Sequence, residues 1–375
     1  MTAARPILFA MTHSSAGGLR EIWNDIADGL AARGHGVGRF VLYPPQDPAA
    51  EGVDRTQWHH VVDQRPTSPL AAVKMLVALV RYLRRVRPAA VVTAMPAANV
   101  ILPLAVTLAR VPTRIFLSHH SPTDTHNRLL DRIDGWTGSL PCVVGILSVS
   151  DAVAATLTHK PACYRAKRIT IANALPERIE HLVDRLAATR PAVSQGHRLV
   201  ALGRLTYQKN YPTLLRAIAR VPRARLDIVG GGEDEGDLRT LAATLGIADR
   251  VAFLGLLPRD EALAVAARAD IFVQVSRYEG HSLALIEAAR MRLPLVVSDV
   301  PVQVEGVRGP DGAPCGIIVP LEDDAALARA IDALLDDPAA RAHWSARAQA
   351  LAAQASRDAM LDRYQTLLAS TGQSR

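Results

Sequence analysis

Two glutamates with seven residues between them, Glu279 and Glu287, bracket the run Gly280-His281-Ser282-Leu283. The run follows Ile271–Gln274, which reads as a buried strand, and a helix is expected to open near Leu283 with Ser282 as its N-cap. At such a turn, free backbone N–H groups and the positive end of the helix dipole favour a diphosphate. Gly280 lets the backbone come close to it. The two carboxylates only accept hydrogen bonds, so they suit hydroxyls at opposite ends of one elongated ligand. Gly203-Arg204-Leu205-Thr206-Tyr207-Gln208-Lys209-Asn210 closes another strand and adds two cations. A planar guanidinium and a compact ammonium complement each other on a diphosphate, and they stabilise the charge that develops as it leaves.

The first half of the chain offers fewer chemical groups. Thr12-His13-Ser14-Ser15-Ala16-Gly17-Gly18-Leu19-Arg20 follows the first strand, and its glycine pair permits close approach of a phosphate. It does not complete G-x-G-x-x-G, and no acidic residue clearly ends the second strand after Val41-Leu42-Tyr43, so a nicotinamide site is disfavoured. Leu117-Ser118-His119-His120 places two histidines at a strand end, with Asp124 and Asn127 in the loop beyond and Asn173 in a later turn. No carboxylate cluster has metal-ligand spacing, so no metal is expected.

These groups are positioned by an α/β chain. Strand-like runs alternate with amphipathic helices, the pattern of parallel sheets covered by helices. Strands are expected at Ile7–Met11, Gly36–Leu42, Ala90–Ala94, Thr113–Ser118 and Gly145–Val149, with helices at Leu19–Arg33, Leu70–Arg87 and Val100–Ala109. A linker-like stretch, Leu186–His197, separates them from strands at Arg198–Leu202, Ala224–Val229, Arg250–Leu254, Ile271–Gln274, Leu295–Ser298 and Gly316–Val319. Two Rossmann-like, doubly wound domains facing across a cleft follow, 1–188 and 189–354, with a terminal helix at about 355–375 packing back onto the first.

A chain of 375 residues suits two such domains, and 49% apolar against 21% charged residues marks a folded protein. Aromatics at 4% give no stacking platform for single-stranded nucleic acid, and no nucleic-acid partner is expected. Three scattered cysteines, Cys142, Cys163 and Cys315, fit a reducing cytoplasm. The uncharged stretch 88–109 is long enough to span a membrane, but its prolines favour a buried strand, a loop and a helix. Positive charge is uneven: residues 1–190 hold 22 Lys and Arg against 14 Asp and Glu, whereas 191–375 hold 21 against 22. The helix around Lys74–Arg87 adds five cations to an apolar face, the composition of an interfacial helix, so an anionic membrane surface is an expected partner of the first domain.

The second-domain motifs carry a resemblance. The frame E-G-x-x-L-x-x-x-E-A from Glu279 to Ala288 resembles the signature of glycosyltransferase family 4, retaining enzymes of the GT-B fold. Gly203–Asn210 is similar to its G-R-L-x-x-x-K-N motif and Val229-Gly230-Gly231-Gly232 to its V-G-x-G turn. The match runs in order through nearly the whole second domain. It implies a retaining, metal-independent transfer of a sugar from a nucleotide-diphosphate-sugar donor to a saccharide or lipid-linked acceptor, in cell-envelope or exopolysaccharide synthesis. No cofactor beyond the donor is implied.

In that frame Glu287 holds the ribose, Arg204 and Lys209 the diphosphate, and Ser282 and Leu283 support it through their backbone. Glu279 holds the donor sugar, with His120, or failing it His119, contacting that sugar from the first domain. Gly17, Gly18, Gly203, Gly230, Gly280 and His281 line the donor, while Asp124, Asn127 and Asn173 are candidates for the acceptor. Two departures stand out: Ala174 replaces the glycine of an N-G turn, and Arg292 occupies a position where a small residue is common. The alternatives are a GT-B nucleotide-sugar 2-epimerase and a non-catalytic nucleotide-sugar-binding protein. Location in the cytoplasm or at the inner face of its membrane is the matching expectation.

Overall fold

Strands that are apolar along their whole length belong in sheets buried on both faces, and both sheets of this chain are parallel throughout their named strands. The computed structural model describes residues 5–15, 17–45, 58–190 and 197–370. The chain divides into two units, Met1–Asn173 with Arg357–Arg375, and Ala174–Ser356.

The first unit contains β1 (Ile7–Met11), α1 (Gly18–Ala32), β2 (Val37–Val41), β3 (His59–His60), α2 (Pro69–Val86), β4 (Ala90–Ala94) and α3 (Pro96–Ala109). These are followed by β5 (Arg114–His119), α4 (Arg128–Thr137), β6 (Val143–Ser148), α5 (Asp151–Ala155), α6 (Ala162–Arg165) and β7 (Arg168–Thr170). Its seven strands run in the order β3-β2-β1-β4-β5-β6-β7. The second unit contains α7 (Glu177–Ala188), β8 (Arg198–Leu202), α8 (Tyr211–Arg220), β9 (Arg225–Val229), α9 (Glu235–Thr244), β10 (Val251–Phe253) and α10 (Arg259–Ala267). It continues through β11 (Ile271–Gln274), α11 (Leu283–Arg290), β12 (Leu295–Ser298), α12 (Pro301–Gly306), β13 (Ile317–Val319), α13 (Asp324–Asp336) and α14 (Pro338–Ala352). Its strand order is β10-β9-β8-β11-β12-β13. The last helix, α15 (Arg357–Ser370), belongs to the first unit.

Two differences from the sequence reading have local causes. The expected break between 1–188 and 189–354 falls instead at Asn173/Ala174, because α7 buries Ile179 and Val183 in the second unit and its Glu180 and Asp184 pair with Arg290 of α11. Half of the expected linker, residues 191–196, lies outside the described residues. In the stretch 88–109, α3 opens at Pro96 rather than Val100: proline suits a first turn, whose N–H groups have no helical partner. No helix among the described residues is long and apolar enough to cross a membrane.

α15 packs on α1 through Leu361, whose side chain lies where a Cβ on Gly29 would sit, and through Arg357–Asp25 and Arg33–Asp362 ion pairs of 2.8 and 2.6 Å. Beneath α4, Lys160 is only 2% exposed and sits 2.7 Å from Asp131 and 2.8 Å from Asp134. Tyr164 donates to Asp134 at 2.9 Å and accepts from His119 Nε2 at 2.7 Å.

Candidate active site

In a doubly wound parallel sheet, ligands bind beyond the carboxyl ends of the strands where the chain order reverses. In the second unit that point lies between β8 and β11. The loops leaving these two strands are Gly203–Asn210 and Val275–Ser282, the same segments that hold Arg204, Lys209, Glu279 and Ser282.

The two loops are tied together by side chains. Lys209 Nζ donates to Glu279 Oε1 at 2.6 Å, and Gln274 Nε2 donates to the same oxygen at 3.0 Å. Gln208 donates to the Tyr278 carbonyl at 3.0 Å and more weakly to Glu279 Oε2 at 3.4 Å. Glu279 is buried, so its charge depends on these partners. Oε1 accepts two hydrogen bonds and Oε2 one long bond, which leaves Oε2 with acceptor capacity for a ligand hydroxyl. The ammonium of Lys209 has three donors, and Glu279 takes one.

Ser282 caps α11 as expected, its Oγ accepting from the Leu285 N–H at 3.3 Å and donating to Gln274 Oε1 at 2.9 Å. Gln274 therefore holds both the carboxylate and the cap. Its signal in the sequence was a polar residue closing an otherwise apolar strand. Asn210 was missed as well. It adopts a left-handed conformation, φ 53°, that asparagine tolerates, and its Oδ1 accepts from Thr213 and Arg277.

The backbone beneath these groups is crowded. A Cβ on Gly230 would stand 2.0 Å from the Gly203 carbonyl oxygen, and one on Gly203 2.8 Å from Lys209 Cε. The lysine stem thus crosses a glycine, and the turn after β9 presses on the loop after β8. Arg204 is exposed on that loop. His281 beside Ser282 is pushed down to about 4 by desolvation, so it is neutral at physiological pH.

Glu287, the residue expected to hold the ribose, is fully buried within α11 and pairs with Arg259 at the start of α10. A cation at a helix N-terminus opposes the dipole, and that position was the available signal for Arg259. Arg292 takes a left-handed backbone, φ 57°, where a side chain is strained, which accounts for the small residue common there.

In the first unit the order reverses between β1 and β4. The loop after β1 holds Thr12, whose Oγ1 accepts from the Ala98 N–H at 3.2 Å, and ends at Gly17, φ 153°. A Cβ there would meet nothing within 4 Å, so the backbone angle, not space, calls for glycine. Gly18 is the first residue of α1.

β5 delivers the two histidines to different surroundings. His119 is 3% exposed and bonded to Tyr164; burial brings it down to about 4. His120 is half-buried; desolvation, aided by His119, brings it to about 3. Its Nε2 accepts from the indole N–H of Trp23 at 3.4 Å and lies 2.9 Å from Ser118 Oγ. An indole only donates, so the imidazole proton sits on Nδ1, which is left as a donor. Trp23 is itself fixed edge-on against Phe9 of β1, ring centroids 5.0 Å apart. Asn127 caps α4, Oδ1 accepting from Leu129 and Leu130; Asp124 is exposed in a short turn, and Asn173 is buried where the first unit ends.

Two parallel, doubly wound sheets of seven and six strands, each with its reversal point furnished as above, define the GT-B fold. Residues 189–351 match the family model of the glycosyl transferases group 1. Over 191 residues the chain is 32% identical to the lipopolysaccharide core biosynthesis glycosyltransferase LpsE of Rhizobium meliloti (strain 1021), covering 50% of this chain and 54% of that protein. The chain thus spans about half the length of this curated relative. Among solved structures, sucrose-phosphate synthase from Thermosynechococcus elongatus superposes with a TM-score of 0.77 at 20% identity, covering 98% of this chain and 99% of the other. Anabaena Alr3699/HepE in complex with UDP and glucose gives 0.78 at 18% identity, covering 98% and 100%.

Proposed function

We propose that the chain is a retaining, metal-independent glycosyltransferase of family 4 that moves a sugar from a nucleotide-diphosphate-sugar donor to a saccharide or lipid-linked acceptor of cell-envelope or exopolysaccharide synthesis. The observation that carries the reading is the Lys209–Glu279 pair at the reversal point of the second sheet, between Arg204 and the Ser282-capped start of α11. In the reaction the bond from the anomeric carbon to the diphosphate oxygen breaks with its electron pair on the diphosphate, the acceptor oxygen forms the new bond on the same face, and the acceptor hydroxyl's proton passes to the departing diphosphate oxygen. Lys209 and Arg204 meet the charge that develops, and Glu279 Oε2 takes a sugar hydroxyl. In the first unit, His120 contributes a neutral Nδ1–H donor to a sugar hydroxyl. The kinship with LpsE supports an envelope saccharide as acceptor, and the working location is the inner face of the cytoplasmic membrane.

A thermal-shift series of nucleoside diphosphates and their sugars tests the donor. A ligand at a hundred times its Kd should add about 2.7 kcal/mol of apparent stability. A flat response across uridine, guanosine, adenosine and thymidine diphosphates and their sugars would remove the donor site. Binding without transfer or donor hydrolysis would identify a non-catalytic binding protein instead.

Transfer should persist in excess chelator. Among the described residues, no group of three or more His, Cys, Asp or Glu is placed to hold a metal ion, and cations at the diphosphate supply the charge a metal would bring. Loss of activity that added Mg²⁺ or Mn²⁺ restores would overturn metal independence.

A further inference from the structure

Trp23 makes a contact that packing alone does not require. It lies on the second turn of α1, fully buried, with its ring edge-on against Phe9. A phenylalanine would fill the same place; what the indole adds is one N–H. A buried N–H needs an acceptor. Among the described residues the acceptor of this one is His120 Nε2, 3.4 Å away, the two rings tilted at 58° with centroids 6.1 Å apart.

Two groups reach the same ring nitrogen, and they differ in what they can do. Ser118 Oγ, buried and 2.9 Å from Nε2, can donate to it or accept from it by turning its hydroxyl. The indole can only donate. Trp23 therefore sets the direction and Ser118 follows: Nε2 keeps its lone pair, and the hydroxyl hydrogen turns toward it as well. The serine is held in place for this, its carbonyl accepting from Asn99 Nδ2 at 3.0 Å. A proton on Nε2 would meet the indole N–H head-on, which disfavours the other tautomer and the imidazolium alike. Among the described residues Nδ1 has no protein partner, and the ring is only half-buried.

We infer that Trp23 is a positioning residue for His120: its indole N–H locks the imidazole with the proton on Nδ1, so that the histidine reaches a sugar hydroxyl only as a donor. The inference rests on the proposed contact between His120 and the donor sugar, and it supplies what that contact needs. An imidazole free to exchange tautomers would offer the sugar now a donor, now an acceptor, and a hydroxyl answers either. Helix α1 then serves the first unit twice, since it opens at the glycine pair and carries the indole on its next turn.

In the full chain with nitrogen-15-labelled histidine, long-range proton–nitrogen correlation tells the protonated ring nitrogen from the acceptor. The His120 signal is the one missing from His120→Ala. The wild type should show a single tautomer with the proton on Nδ1. Trp23→Phe, which keeps an aromatic ring against Phe9, should show both tautomers, because the Ser118 hydroxyl is then free to accept. Ser118→Ala should keep the proton on Nδ1, because the indole remains. Turnover at saturating donor should fall about 2- to 10-fold in Trp23→Phe, the worth of one neutral hydrogen bond, with the thermal shift from a nucleoside diphosphate lacking its sugar unchanged. In a His120→Ala background Trp23→Phe should cost nothing further, because the indole acts through the ring. A proton on Nε2 in the wild type or in Ser118→Ala, or a single Nδ1–H tautomer in Trp23→Phe, would overturn the inference. So would an equal loss of turnover in the His120→Ala background, which would leave Trp23 as packing alone. If Trp23→Phe does not fold, the wild type and Ser118→Ala still decide the tautomer. A flat response to nucleoside diphosphates and their sugars with Nδ1 protonated sinks the transferase reading and leaves the lock standing, whereas transfer with Nε2 protonated sinks the lock alone.

Discussion

Lys209→Ala should cut turnover by about 10²–10³ at saturating donor, the loss that follows removal of one charge-stabilising donor from a preorganised site. Two consequences of the deletion act together. The leaving diphosphate loses the ammonium, and the buried Glu279 loses the partner 2.6 Å from its Oε1. The second raises the cost of keeping Glu279 ionised and loosens the tie between the loops after β8 and β11. Lys209→Arg keeps a charge, but its fork is wider than an ammonium and the stem must still cross Gly203, so it should restore little. Glu279→Gln, which removes the charge and keeps the shape, separates the two effects. If the lysine acts only by neutralising the carboxylate, Lys209→Ala combined with Glu279→Gln will be no worse than Glu279→Gln alone. If it acts on the diphosphate, the double variant will fall further. A single Lys209→Ala variant with near-wild-type turnover would end the assignment.

Lys160→Met should destabilise the first unit by about 3–5 kcal/mol, the cost of stripping one partner from a buried ion pair. Lys160 serves two carboxylates at 2.7 and 2.8 Å, donates to the Asp131 carbonyl at 2.5 Å and is 2% exposed. Such a loss is a large share of the roughly 5–15 kcal/mol that holds a native protein together. The urea midpoint measures it, and a change below about 1 kcal/mol would mean that water or His159 replaces the ammonium.

The same network predicts an acid dependence. Burial alone would raise the Asp131 carboxyl, but hydrogen bonds from Lys160 and His159 outweigh it and hold the group below its ordinary 3.8. A depressed folded value means stability that is complete above the unfolded value and fades as pH falls through the folded one. The network's contribution should therefore be constant from neutral pH down to about 5 and decline below about 4, a decline that Lys160→Met should blunt.

Most of the architecture was legible in the sequence because it rests on local rules. A run such as Ile271–Gln274 has few fates other than a buried strand, and a serine before an apolar helical repeat caps it, as Ser282 does. Strands β1, β4, β8, β11 and β12 lie where their apolar runs lie in the chain. Boundaries moved where a backbone detail intervened, as at Pro96. The split between units moved because the allegiance of α7 depends on a face that pairs with Arg290, more than a hundred residues away.

The residue types at the site were equally readable: Arg204, Lys209, Glu279 and Ser282 all lie in the loops leaving the two strands that flank the second reversal point. Their partners were not, because a partner is chosen by strand order. β8 and β11 become neighbours only once the sheet forms, and that adjacency brings Lys209 to Glu279 across 70 positions. Arg259 reaches Glu287 only through the packing of α10 beside α11. The family resemblance favours His120 over His119 but says nothing of their surroundings, which the fold sets because successive residues at a strand end face opposite sides: His119 enters the Tyr164–Asp134–Lys160 network and His120 meets Trp23 and Ser118. Composition and local periodicity thus set the elements and the chemistry available to them, while the pairing of charges and the differing surroundings of the two histidines followed from long-range packing, which no window of the chain contains.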